Sequence, residues 1–177
     1  MYKIAVIGPE STGKSNLSEY LANYYNCLWV PEFAREYCAK LDKECDMQDE
    51  LNIFFGQLNS ERTIFKESLS TNQSLMICDT TIVTVKVWTE HVFKTCPDVV
   101  EHEFKQRHYD LYLLTNNDLP WQDDPLRNFP NEREFFYNWY LRLLEENNLN
   151  FKIVSGVNQD RYQNAVNLVD QFLNQKK

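Results

Sequence analysis

Short apolar runs alternate with stretches of helical period along the whole chain. Ile4-Ala5-Val6-Ile7 is apolar throughout, the mark of a strand buried on both faces. Leu17, Leu21 and Tyr24 then recur at helical spacing, and Cys27-Leu28-Trp29-Val30 reads as a second strand stopped by Pro31. A long helix is predicted next, with Leu51, Phe54, Phe55, Leu58, Phe65 and Leu69 on one face. Leu75-Met76-Ile77-Cys78 is a third buried strand ending at Asp79, and Ile82, Val85 and Trp88 suit another helix. Leu111 to Leu114 and Phe151 to Val154 are the last two strands. Helices run through Phe136, Trp139, Tyr140, Leu143 and Leu144, and through Ala165, Leu168, Val169 and Phe172.

Strands alternating with helices predict an α/β fold: a parallel sheet of about five strands with helices on both faces. With no linker, repeat or low-complexity tract, residues 1–177 read as a single domain. One connection stands out. The polar, proline-bearing segment 116–131 is longer than an ordinary loop, and loops of that size often serve as lids.

Composition excludes some classes. Hydrophobic residues at 43% and charged residues at 25% are globular values that rule out global disorder. The 26 acidic against 18 basic side chains leave a formal charge of -8, which repels a polyphosphate backbone and argues against nucleic-acid partners. The apolar runs fall short of the ~20 residues a membrane span needs. Met1-Tyr2-Lys3-Ile4 enters a strand with no signal-peptide pattern, so a cytoplasmic protein with no membrane partner is expected. Oligomeric state is left open. Cys27, Cys38, Cys45, Cys78 and Cys96 form no CxxC pair and read as free thiols packed as small hydrophobes. His102-Glu103 begins like a zincin helix, but the next histidine, His108, lies at i+6 on the wrong face.

The strongest chemical signal is Gly8-Pro9-Glu10-Ser11-Thr12-Gly13-Lys14-Ser15, a complete G-x-x-x-x-G-K-[ST] between a predicted strand and a predicted helix. Successive backbone N–H groups in such a loop form an anion nest at the positive end of the helix. Lys14 reaches β- and γ-phosphates, the Ser15 hydroxyl suits Mg2+, and Asn16 continues the first turn. The loop implies a nucleoside triphosphate, with ATP and Mg2+ as the expected pair. Asp79, at the end of the third strand, stands where a second metal-binding carboxylate belongs; Asp79-Thr80-Thr81 is equally good helix-capping chemistry.

A second-substrate region is expected at Pro31-Glu32-Phe33-Ala34-Arg35-Glu36-Tyr37, at the carboxyl end of the second strand where ligands collect. Glu32 can accept a hydroxyl proton and Arg35 can hold a substrate oxygen, although the same stretch also reads as a plain solvated helix. The segment from Asp118 through Trp121 and Asp124 to Arg127 reads as a lid that excludes water, with Arg127 closing over a transferring phosphoryl group. A proline-stiffened surface loop is the competing reading.

In order along the chain, GPESTGKS (8–15), VPEFAREY (30–37), FFGQ (54–57), CDTT (78–81), VKVW (85–88), YDLYLLTNNDLPWQDDPLR (109–127) and SGVNQDR (155–161) resemble the ribosylnicotinamide-kinase-like P-loop kinases. That group includes the C-terminal kinase domain of bifunctional bacterial NAD-biosynthesis regulators and stand-alone relatives described as AAA-type ATPases. The resemblance implies a P-loop NTPase fold and ATP-dependent phosphorylation of nicotinamide riboside to nicotinamide mononucleotide. It implies nucleotide contacts from Gly8 to Asn16, with Arg161 on the adenine side, and a metal at Ser15 and Asp79. Lys14, Asp79, Glu32 and Arg127 would carry the chemistry. Glu32, Phe33, Arg35, Tyr37, Trp88, Trp121 and Asp124 would meet the nucleoside.

Three departures bear on substrate identity. Pro31 replaces a tryptophan of the bifunctional members, Thr81 replaces a second aspartate, and Pro125 replaces a lid glycine. Phe33, Tyr37 or Trp88 would have to supply the missing aromatic face. The chain is too short for an added adenylyltransferase-type or helix-turn-helix domain, so a single step is expected. A kinase for another nucleoside, or a nucleotide-binding switch acting through a protein partner, are the alternative readings.

Overall fold

The computed structural model describes residues 1–106 and 109–176, so His108 lies outside the described residues. Five strands, β1 (Tyr2–Ile7), β2 (Leu28–Val30), β3 (Leu75–Asp79), β4 (Leu111–Thr115) and β5 (Phe151–Val154), form one parallel sheet in the order β2-β3-β1-β4-β5. The helices are α1 (Lys14–Tyr25), α2 (Phe33–Cys38), α3 (Met47–Ser70), α4 (Ile82–Phe93), α5 (Asp98–Gln106), α6 (Arg133–Glu146) and α7 (Asn158–Asn174).

Strand alternation divides the core into two layers. Ala5, Ile7, Met76, Cys78, Tyr112 and Leu114 face one cluster with Phe54, Leu58, Val85, Phe136 and Leu144. Ile4, Val6, Leu75, Ile77, Leu111 and Leu113 face the other, packed on Leu17, Leu21, Ala165 and Val169. Helices therefore cover both faces, as the near-continuous apolar strands require.

Five strands and the helices with strong apolar period fall where the pattern places them; α5 is an addition. The face of α3 is different from the apolar one expected. Its buried stripe is Glu50, Ile53, Phe54, Gln57, Leu58 and Glu61, at i, i+3, i+4 spacing, while Phe55 and Leu69 are exposed. Polar residues on a buried stripe need partners, and two of them face the site described next. Among the described residues no helix is long and apolar enough to cross a membrane.

The sheet order brings the carboxyl ends of β1 and β3 side by side, with Val6 in register with Asp79. Everything that follows β1 and β3 thus opens into the same crevice.

Candidate active site

The loop after β1 is folded by its own short bonds. The Thr12 hydroxyl bonds the Pro9 carbonyl at 2.8 Å and the Thr115 hydroxyl at 2.7 Å, and Thr115 in turn donates to the Ile7 carbonyl at 3.1 Å. Gly8 has φ 142° and a Cβ there would stand 2.3 Å from Thr115 Oγ1, so only glycine allows the loop to lie this close to β4. Gly13, at φ 74°, caps α1 in the left-handed region and turns the first helical N–H groups toward the loop. Lys14 Nζ donates to the Pro9 carbonyl at 2.8 Å, folded across the loop's mouth. Asn16 is exposed on the first turn of α1.

Asp79 is the last residue of β3 and 1% exposed. Burial pushes its carboxyl up to about 6 and the neighbouring Glu32 carboxylate adds to the rise, while the Ser15 hydroxyl, Lys14 and Arg35 pull it back. Its Oδ1 is buried without a hydrogen-bond partner. Helix capping is not its task, because the Thr81 hydroxyl accepts from Val83 N and caps α4. Thr80 between them sits at φ 63°, a strained conformation for a β-branched residue. Its N–H donates to the Val6 carbonyl at 3.0 Å and its carbonyl accepts from Gln57 Nε2 at 3.4 Å, which holds the turn.

Across the crevice, Glu32 leads into α2. Gln57 from α3 fixes the entry by accepting from Phe33 N at 2.9 Å. The Phe33 ring packs directly on α3 at Gly56: a Cβ there would meet it at 2.1 Å. The Tyr37 hydroxyl donates to Asp49 at 2.8 Å and accepts from Asn52 at 2.8 Å, tying α2 to the start of α3. Arg35 reaches out of α2 to Asp124 at 3.0 Å, and Arg127 lies 3.9 Å from the same carboxylate. The Leu126 N–H and the Arg35 guanidinium hold the Asp124 carboxyl below its ordinary range.

The 116–131 segment is irregular throughout and lies over the loop after β1. Trp121 packs within it, its indole N–H on Asp123 at 2.8 Å and the Arg133 guanidinium 6.0 Å from its ring. Trp88 on α4 meets Phe129 edge-on and stacks on Phe136, bringing α4 to the same segment. Arg161, expected on the adenine side, is 3% exposed and ties three loops together. It donates to the carbonyls of Thr12 at 2.8 Å, Asn116 at 3.2 Å and Gly156 at 3.1 Å, and pairs with Asp118.

Four further residues here are not picked out as site residues by the sequence. Thr115 ends a buried strand just as Asp79 does, and that parallel was its available signal. Gln57 stands inside the FFGQ stretch on the buried face of α3. Arg133 donates to the Ser11 and Leu119 carbonyls at 3.2 and 2.9 Å. Glu50 is 5% exposed beside Trp88 and Cys45, and burial pushes its carboxyl up to about 7.

A left-handed glycine nest feeding a helix, a lysine across its mouth, and a buried aspartate on the adjacent strand define a P-loop nucleotide-binding protein. Residues 3–161 match the AAA domain family, and the chain belongs to it. It is 25% identical over 176 residues to the trifunctional NAD biosynthesis/regulator protein NadR of Salmonella typhimurium; the match covers 98% of this chain and 43% of that one. The chain thus spans less than half the length of the curated relatives it matches. A crystal structure of NadR in complex with NR superposes with a TM-score of 0.80 at 23% identity, covering 97% of this chain and 49% of that one. Thymidylate kinase from Ehrlichia chaffeensis superposes at 0.67 and 14% identity, covering 96% and 97%. The fold and the resemblance read in the ordered motifs are both borne out.

Proposed function

We propose that residues 1–177 act as one kinase domain that transfers a phosphoryl group from ATP to the hydroxyl of a nucleoside-like small molecule, with nicotinamide riboside as the first candidate and nicotinamide mononucleotide and ADP as products. The observation that carries this reading is the convergence of Arg35 from α2 and Arg127 from the opposite segment on Asp124. A second cationic clamp facing a phosphate loop suits two bound substrates better than one. Likeness over nearly the whole chain to NadR, solved with NR bound, supports the choice of acceptor.

The buried, partnerless Asp79 Oδ1 beside Ser15 fits a divalent cation. Ser15 and Asp79 would hold Mg2+, which when bound neutralises charge on the β- and γ-phosphates. The loop N–H groups cradle the triphosphate, and Lys14 exchanges the Pro9 carbonyl for phosphate oxygen. Glu32, half-buried at the mouth of α2, orients the acceptor hydroxyl and takes its proton as the new O–P bond forms and the β–γ bridge breaks to release ADP. Arg127, in the lid formed by 116–131, neutralises charge on the moving group, and the closed lid keeps water from it. The -8 net charge supports a small-molecule partner over nucleic acid, and a cytoplasmic location is part of the same proposal.

Mass spectrometry of the acceptor after incubation with ATP and Mg2+ tests this. Nicotinamide riboside gains one phosphoryl group with the wild type and none with Lys14→Ala; an unmodified acceptor with an active ATPase would overturn the reading.

A further inference from the structure

Glu10 stands third in the phosphate-binding loop, where a nucleotide contact is expected, yet its carboxylate is engaged elsewhere. It accepts the backbone N–H of Asn128 at 3.1 Å and of Phe129 at 3.0 Å. These two residues directly follow Arg127. Ser11, the next loop residue, makes matching ties: its hydroxyl accepts from Gln122 N at 2.8 Å and its carbonyl accepts from Arg133 at 3.2 Å. Lys14 and Arg127 both lie close enough to Glu10 to favour its charged form against the cost of burial. A half-buried carboxylate accepting two main-chain N–H groups makes charge-assisted bonds that depend on where the lid backbone lies, and on no side chain of the lid.

We infer that Glu10 is the latch of the lid: a positioning residue that fixes the backbone after Arg127 against the phosphate loop, setting where the guanidinium sits over the transferred group. The inference rests on the kinase reading for its consequence, and on geometry alone for the latch. The segment 116–131 has no helix or strand of its own, so contacts to its neighbours hold its shape; the Glu10 and Ser11 bonds are the ones that tie 122–129 to the phosphate loop, beside the packing of Phe129 on Trp88 and Phe136. Releasing them misplaces Arg127 and admits water, while the nest N–H groups and Lys14 stay as they are. Turnover therefore falls, ATP binding is kept, and a larger share of ATP goes to hydrolysis in place of transfer.

Backbone hydrogen exchange read by mass spectrometry on the ligand-free full chain tests the latch directly. In Glu10→Ala, amides of 122–129 should exchange about 10-fold faster or more while the five strands are unchanged, with Glu10→Gln, which keeps one acceptor oxygen, in between. In kinetics, Glu10→Ala should lower kcat about 10-fold, leave KM for ATP within about twofold, and raise the ratio of acceptor-independent ADP release to transfer; Glu10→Gln should recover part of both. Unchanged exchange at 122–129 would overturn the latch, as would a raised KM for ATP with kcat intact, which would make Glu10 a nucleotide ligand. Should Glu10→Ala fail to fold, the same two readouts on Glu10→Gln decide the matter. A wild type that shows no acceptor-dependent turnover defeats the kinase reading, and the exchange result still judges the latch by itself.

Discussion

Arg35 and Asp124 meet at 3.0 Å across the crevice, joining a helix that follows β2 to a segment that follows β4. The arginine side chain is 47% exposed, so the pair contributes only about 0–1 kcal/mol to folding. Its importance is where it stands. The carboxylate bonds Arg35 and stands 3.9 Å from Arg127, and on the proposed kinase reading a phosphoryl group would pass between substrates near this pair.

Asp124→Ala should therefore leave Tm within about 3 °C of wild type. Its kcat/KM for the acceptor should fall about 10-fold. Arg127→Ala should lower kcat while KM for ATP changes little. If Arg127→Ala weakens only ATP binding, the charge-stabilising role of that arginine is wrong.

Gly56→Ala tests how the acceptor side is built. The added methyl group would overlap the Phe33 ring, whose carbons lie 2.1 to 2.5 Å from the Cβ position. Forcing them apart should cost about 1–3 kcal/mol, read as a lower urea midpoint. Because Phe33 follows Glu32, KM for the acceptor should rise more than KM for ATP. An unchanged acceptor KM would separate the α2 entry from substrate binding.

Glu50 sets a pH dependence of stability. Its carboxyl rises from an ordinary 4.5 to about 7 through burial, with Asp49 adding to the effect. Between these values the folded chain keeps a proton that the unfolded chain has lost, so this group's contribution declines as pH rises through that window. Glu50→Gln carries no such burden. It should be more stable than wild type at pH 8, by up to roughly 3 kcal/mol, with the gap closing toward pH 4. Denaturant curves at several pH values check this; a gap that does not shrink in acid would contradict it.

Arg161 distinguishes a loop tie from a nucleobase contact. Its guanidinium bonds three carbonyls on three loops and pairs with Asp118, a geometry that a lysine ammonium cannot span. Both Arg161→Ala and Arg161→Lys should lose about 3 kcal/mol of stability, with KM for ATP rising because the Thr12 carbonyl is released. An adenine contact would instead raise that KM at unchanged Tm.

Much of this site was legible from strand ends. The apolar runs at Ile4–Ile7, Leu75–Cys78 and Leu111–Leu114 locate β1, β3 and β4, and the phosphate loop and Asp79 that close the first two are legible as site elements. Thr115, which closes the third in the same way, is not. The roles of Glu10, Glu50 and Arg161 were not legible in the same way, since each depends on partners far along the chain: Asn128 and Phe129, Trp88, and Thr12 with Asn116. No local pattern encodes such pairings. The exposed face of α3 shows the converse. Phe55 and Phe54 look alike in sequence; Phe54 turns inward with Ile53, Leu58 and the polar Glu50, Gln57 and Glu61, whose burial a purely apolar reading of the face does not anticipate.

The most direct test of the kinase reading is ADP release from ATP and Mg2+, measured with and without nicotinamide riboside beside a panel of common nucleosides. Nicotinamide riboside, or one member of that panel, is expected to stimulate release strongly, and Lys14→Ala to abolish it. Slow release that no acceptor stimulates would contradict the account and point to a nucleotide switch.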